Sequence, residues 1–156
     1  MSISESQDNS IFVGVQREYY ESGKLKSKVF VNAGKKEGEY KEYYDYDNDN
    51  DYDNDNDYEL SKDLINSSEQ LFRIGNYIDD KLQGECREYY ANGELYIICN
   101  YIDDKLQGEY KTYCINGELS VIYNYINDKK EGEYKKYDEN GKLLNICNYI
   151  NDKREG

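Results

Sequence analysis

The side chains with reactive chemistry are few. The chain has no histidine, so the commonest neutral-pH general base is missing. Four cysteines stand at 86, 99, 114 and 147, with no CxxC spacing, so a zinc site is not expected. Paired carboxylates, Asp79-Asp80 and Asp103-Asp104, recur once per repeat, which suits loop solubility better than a unique active centre. No Gly-rich phosphate loop lies between a strand and a helix, and no nucleophile has a plausible partner. The chain therefore reads as no enzyme, with no cofactor and no metal. Strand alternation sets Cys86 directly opposite Cys99 across a hairpin, where a disulfide is conceivable. A reducing cytoplasm favours free thiols.

Acidic residues crowd between 45 and 66. Nine of them, Asp45 through Asp63, stand against Lys62 alone. The run lacks the glycine that a calcium-binding EF-hand loop needs at its sixth position, so a solvated, disordered loop is expected rather than a calcium site. The chain as a whole carries 33 acidic and 20 basic residues, a net charge of -13. That balance argues against nucleic acid and against an anionic membrane surface. The opening MSISESQDNS has neither a basic nor an apolar signal segment, and no apolar run is long enough to cross a bilayer. A cytoplasmic location is expected. The abundance of Tyr, Asn, Ile and Lys, with no Pro and little Ala, suggests an AT-rich genome.

A repeat positions everything else. The segment GECREYYANGELYIICNYIDDKLQ begins at Gly84, and its counterparts begin at Gly108 and Gly132, 24 residues apart. A fixed period of this size marks a repeat architecture. A worn copy starts at Gly14, and another at Gly38 is interrupted by the acidic run. The expected organisation is a flexible lead-in over 1–13, an array of five 24-residue repeats over 14–156, and an acidic disordered insertion over 45–66 within repeat two.

Each repeat reads as a β-hairpin. Asn92-Gly93, Asn116-Gly117 and Asn140-Gly141 sit between β-rich runs, and the dipeptide signals a two-residue type I′ turn. Such a turn opposes Tyr90 to Leu95, Tyr89 to Tyr96, Glu88 to Ile97, Arg87 to Ile98, Cys86 to Cys99 and Gly84 to Tyr101. One face then carries Cys86, Tyr90, Leu95, Ile97, Cys99 and Tyr101. The other carries Arg87, Tyr89, Tyr96, Ile98, Asn100 and Ile102. Gly84 reads as making room for the Tyr101 ring. The Asp-Asp tail reads as a linker to the next unit. A lone hairpin is marginal in water, so stacking must supply the stability. The fold class is all-β: an elongated, single-layer antiparallel meander of stacked hairpins.

The pattern G-E-Y-K-x-Y-x-x-N-G-x-L followed by N-Y-x-x-D-K-x-x-G resembles the MORN repeat family. It is closest to the variant seen in antitoxin-like bacterial proteins and in giant viruses of amoebae, which would place the protein in a host cytoplasm. The resemblance implies a twisted rod of hairpins that acts as a scaffold for protein–protein contacts. It also raises two alternatives: a membrane or phosphoinositide-associated protein, which the negative charge disfavours, and an antitoxin-like binder that neutralises a partner protein. The tyrosine column Tyr19, Tyr43, Tyr89, Tyr113 and Tyr137 is the candidate binding surface, since tyrosine suits binding faces; packing between repeats is the plainer role for it. The last strand, about 142–150, has no following repeat, so self-association through this edge is expected.

Overall fold

The computed structural model describes residues 12–45 and 69–155. The lead-in up to residue 11 and nearly all of the acidic insertion therefore lie outside the described residues, as does the question of calcium there. The described residues hold thirteen antiparallel strands and no helix. Before the insertion come β1 (Gly14–Tyr19), β2 (Leu25–Asn32) and β3 (Lys35–Tyr43). After it come β4 (Leu71–Ile78), β5 (Lys81–Leu82), β6 (Gly84–Tyr89), β7 (Leu95–Ile102) and β8 (Lys105–Leu106). The chain ends with β9 (Gly108–Tyr113), β10 (Leu119–Ile126), β11 (Lys129–Tyr137), β12 (Leu143–Ile150) and β13 (Lys153–Glu155). They form one open sheet with the path β1-β2-β3-β4-β6-β7-β9-β10-β11-β12-β13, while β5 pairs only with β4 and β8 only with β7. The eleven strands on that path span roughly 50 Å at about 4.8 Å per strand. The eight-residue strands β2, β4, β7, β10 and β12 are about half as long as the sheet is wide.

Two kinds of turn alternate along the chain. The Asn-Gly turns are three-residue loops. Gly93 N–H donates to the Tyr90 carbonyl at 2.9 Å, and Tyr90 N–H donates to the Glu94 carbonyl at 2.8 Å. Only Gly93 is left-handed there, with φ of 86°, and Asn92 is not. This is a type I turn followed by a glycine bulge, not the expected type I′ turn. The type I′ turns lie instead in the segment read as a linker. Asp79 and Asp80 both have positive φ, 50° and 68°, and they connect Ile78 directly to Lys81. Asp103-Asp104, Asn127-Asp128, Asn151-Asp152 and Ala33-Gly34 repeat the same geometry. Asp and Asn tolerate this region better than other side chains, which is why they occur there.

The longer loop displaces the register near the Asn-Gly turns. Tyr89 pairs with Leu95 rather than Tyr96, with an irregularity between Glu88 and Tyr89, while Glu88–Ile97 through Gly84–Tyr101 pair as expected. Tyr96 is the extra residue. Its ring packs against Tyr90 with centroids 4.7 Å apart, so it leaves the Tyr89 face to which the two-residue turn would assign it. Leu95 joins Tyr89 instead of Tyr90.

Gly84 also has a different reason to be glycine. Its φ is 84°, and nothing lies within 4 Å of the position a Cβ would take. Gly38, Gly108 and Gly132 share both features. Each is a left-handed residue at a bulge where one hairpin hands over to the next, and the Tyr101 ring needs no room there. β13 folds back on Asn148–Ile150, so among the described residues only the first part of β12, rather than the whole of 142–150, lacks a strand on that side.

Stacked turns tie the hairpins together. Asp104 accepts the Leu82 N–H on its Oδ1 at 2.7 Å, and the Asp104 N–H donates to the Leu82 carbonyl at 3.1 Å. Asp128 does the same with Leu106, Asp152 with Lys130, and Asp80 with Lys36. The preceding residue of each turn donates its N–H to a Gln or Glu below: Asp103 to Gln83, Asn127 to Gln107, Asn151 to Glu131 and Asp79 to Glu37, all near 3.0 Å.

Two substitutions test these assignments. Gly84→Ala is expected to cost about 1–2 kcal/mol through φ alone; an unchanged thermal midpoint would show that the backbone there does not demand glycine. Asp104→Ala removes an acceptor and should lower stability by about 1 kcal/mol in a denaturant titration. Asp104→Asn, which keeps the Oδ1, should lose clearly less.

Candidate functional site

The two faces of the sheet differ in packing. One face holds nearly all the buried side chains: Ser27, Val29, Val31, Cys86, Ile97, Cys99, Tyr123 and Cys147. Cys86, Ile97 and Cys99 form its centre, with Tyr101, Leu106 and Tyr110 against them. Tyrosine rings continue this packing along the sheet. Tyr110 stacks on Tyr123 at 5.1 Å, Tyr123 meets Tyr134 at 5.6 Å, and Tyr134 meets Tyr149 at 5.8 Å. Burial pushes the Tyr101 hydroxyl up to about 12, and drives Tyr40, Tyr110 and Tyr123 higher still. Toward β3 the packed face turns ionic: Arg73 bonds Glu88 through Nε at 2.8 Å and lies 3.8 Å from Glu42.

The other face is open. A single cross-strand row runs over it through ten strands, each residue opposite the next: Arg17, Lys28, Lys41, Ile74, Arg87, Ile98, Lys111, Ile122, Lys135 and Ile146. From Lys41 onward, a basic residue alternates with isoleucine. Two residues along the strands lies a parallel row of acids. Glu39 pairs with Lys41 and Glu85 with Arg87 at 2.6 Å each, and Glu109–Lys111 and Glu133–Lys135 repeat the contact. These acids stand opposite Asn76, Asn100, Asn124 and Asn148. An open depression of about 240 Å³ lies over Glu39, Ile74, Gly75, Asn76, Glu85 and Arg87. It is smaller than the roughly 300–1,000 Å³ usual for small-molecule sites.

The tyrosine column singled out by type lies beside this row. Tyr43, Tyr89, Tyr113 and Tyr137 oppose Leu71, Leu95, Leu119 and Leu143. The Lys28 ammonium sits 5.3 Å from the Tyr43 ring, which places Tyr43 on the open face. Tyr43 is 5% exposed, whereas Tyr19 at the end of the sheet is 59% exposed. Among the described residues, none of the five makes a ring–ring contact. Three of their carbonyls accept hydrogen bonds from the second tyrosine of another Tyr-Tyr pair. Tyr20 donates its hydroxyl to the Tyr43 carbonyl at 2.7 Å, Tyr44 to Tyr89 at 2.6 Å and Tyr90 to Tyr113 at 2.8 Å. This second tyrosine links one hairpin to the next, a role its adjacency to the first had hidden.

The basic–isoleucine row was missed by sequence reading. The signal was present as a Lys or Arg three residues after each repeat glycine, but the row appears only once the register across repeats is known. Among the described residues no group of three or more His, Cys, Asp or Glu is placed to hold a metal. No described helix is long and apolar enough to cross a membrane. The Cys86 and Cys99 thiols are free and buried.

Three segments of the chain, 12–33, 82–103 and 130–151, match the MORN repeat variant family. The hairpins between them, built from β3 with β4 and from β9 with β10, have the same cross-strand register as the matched ones. No curated protein is similar enough to the chain to count as a relative.

The packed tyrosines predict an alkaline transition. Their folded-state values lie above the unfolded value of about 10, so the stability they confer is complete below pH ~10 and is lost as the pH rises through ~12. Tyrosinate absorbance in that window should rise together with loss of β-sheet circular dichroism. Ionisation of these rings with the sheet intact would contradict the burial described.

Proposed function

We propose that the protein is a non-enzymatic scaffold that binds another protein across the open face. The observation that carries this reading is the unbroken row from Arg17 to Ile146, flanked by the Glu–Asn row and by the exposed side chains of Ile78, Ile102, Ile126 and Ile150. Such a surface offers apolar contact and charges of both signs at fixed pitch, a pattern suited to a specific protein partner. Its extent, roughly 45 Å by 20 Å or about 900 Å², is close to the ~800 Å² one partner buries in a standard interface. Its ion pairs are open to solvent at the glutamates and partly covered at the lysines, and such surface pairs contribute about 1 kcal/mol or less each. They can be altered without loss of the fold.

The repeat match is compatible with this scaffold reading. It is also compatible with attachment to a membrane, and the basic members of the row are a reason to weigh that second reading. Four of them are already paired with glutamates, and the net charge of -13 opposes an anionic surface.

The test compares the wild type with the triple variant Arg87→Ala, Lys111→Ala, Lys135→Ala as baits for affinity capture from the native host. Captured proteins should be lost from the variant while its melting curve stays within a few degrees of the wild type. Identical capture by both would remove the open face from the function. Flotation of the wild type with phosphoinositide vesicles, abolished in the triple variant, would replace the protein partner with a lipid one.

A further inference from the structure

The packed face contains one pair of groups that the scaffold reading does not use. Cys86 and Cys99 are directly opposite in the register of β6 and β7. Cys86 is 2% exposed and Cys99 5% exposed. The equivalent cross-strand pairs are Gln16–Val29, Tyr40–Gly75, Tyr110–Tyr123 and Tyr134–Cys147. Among these hairpins, the one formed by β6 and β7 alone carries a thiol on both strands.

The geometry suits a bond between them. Opposed residues of an antiparallel pair have Cα atoms about 4.5–5.5 Å apart. Disulfides bridge separations of about 4.4–6.8 Å. Beside the pair, β4 contributes Gly75 where other repeats place Val29, Tyr123 or Cys147. A Cβ built on Gly75 would lie 3.6 Å from the Cys86 sulfur. The glycine therefore leaves space in which that sulfur can turn. The thiols are also unequal. The Cys99 thiol beside Cys86, helped by the Arg73 guanidinium and opposed by burial, lowers the Cys86 thiol below its ordinary value. Cys99 is correspondingly held in its protonated form.

We propose that Cys86 and Cys99 form a reversible cross-strand disulfide on exposure to hydrogen peroxide, making the β6–β7 hairpin a redox-set lock in the array. The Cys86 thiolate attacks one peroxide oxygen. The O–O bond breaks, hydroxide leaves and is protonated to water, and Cys86 becomes a sulfenic acid. The Cys99 sulfur then attacks Cys86. The S–O bond breaks, and the hydroxyl departs as a second water with the Cys99 proton. Two thiols are oxidised and one peroxide is reduced to two waters. The side chains of Tyr101, Leu106 and Tyr110 cover the thiols, with no second sheet above them among the described residues, and hydrogen peroxide is small enough to pass between such side chains. The bond also acts on the open face, because Arg87 and Ile98 adjoin the two cysteines in sequence and pair with each other behind them. Oxidation therefore stiffens the middle of the basic–isoleucine row.

The full chain, treated with hydrogen peroxide and then with dithiothreitol, tests the lock. Intact mass should fall by two hydrogens and recover on reduction. Peptide mapping should place the bridge between 86 and 99, leaving Cys114 and Cys147 as thiols. The melting midpoint of the oxidised protein should rise by about 5 °C or more, as expected for a closed loop of this length. Cys99→Ser should abolish both the mass loss and the rise. Bridges through Cys114 or Cys147, over-oxidation of Cys86 without a bridge, unreacted thiols, or a bridge with no change in midpoint would each overturn the proposal.

Discussion

The structure depends on one contact repeated along a rim of the sheet. Each two-residue turn sits on the turn before it, and a single aspartate holds the two together. Its backbone N–H meets the carbonyl below at 3.1 Å and its carboxylate takes the N–H of the same residue at 2.7 Å. A single-layer sheet lacks a second layer to bury its faces against. None of its large side chains is fully covered among the described residues. Hydrogen bonds between consecutive modules must then carry a share of the cohesion that a packed core supplies elsewhere. The tyrosine hydroxyls of Tyr20, Tyr44 and Tyr90 add a second set of links farther along the strands. Where Cys114 and Asp138 replace tyrosine, that set stops, and Asp138 instead closes its own turn by accepting the N–H groups of Asn140 and Lys142.

Much of the fold was legible because its period is written in the residues. The 24-residue spacing, the hairpins, the single antiparallel layer and the pairing of Cys86 with Cys99 all derive from glycine positions and strand alternation. The turn types differ from those the dipeptides predict for a local reason. An Asn-Gly pair serves as the centre of a two-residue turn or as the end of a three-residue one, and the dipeptide does not distinguish them. The choice decides whether Ala91 belongs to the strand or the loop. It moves Tyr96 from one face to the other. The Asp-Asp tail looked like a polar linker because its chemistry is expressed in backbone φ, which composition does not display. Gly84 lies opposite a tyrosine and so suggests a steric allowance, whereas its need is conformational.

The candidate surface was less legible than the fold. Tyrosines attract attention by type, yet the five in the singled-out column have different exposures, and the rings that pack are mainly Tyr110, Tyr123, Tyr125, Tyr134 and Tyr149 on the opposite face. A row across a sheet is invisible in any one repeat. Lys111 and Ile98 become neighbours only because β7 pairs with β9, a contact between hairpins rather than within one. Sequence patterns describe alternation along a strand well. They describe adjacency across strands only after every bulge has been placed, since one inserted residue reverses the face of every later residue in that strand.

The acidic insertion shows what this arrangement tolerates. The insertion, 45–66, falls between β3 and β4, at the end of the hairpin away from the aspartate turns. The Tyr44 N–H closes its neck by donating to the Gln70 carbonyl at 3.0 Å. On the opposite rim, Asp80 reaches Lys36 across 44 residues of sequence, whereas the other three rungs span 22, and all four carboxylate contacts measure 2.7 Å. Enlarging a three-residue loop by this much costs roughly 2 kcal/mol in closure entropy. That cost falls on one hairpin. The rung beneath it is made by residues already fixed by their own turns, so the ladder passes the interruption without a change in geometry. An array built from neighbour contacts on one rim is therefore free to vary at the other. The rim that carries the Asn-Gly loops is where the chain has admitted its largest change in composition.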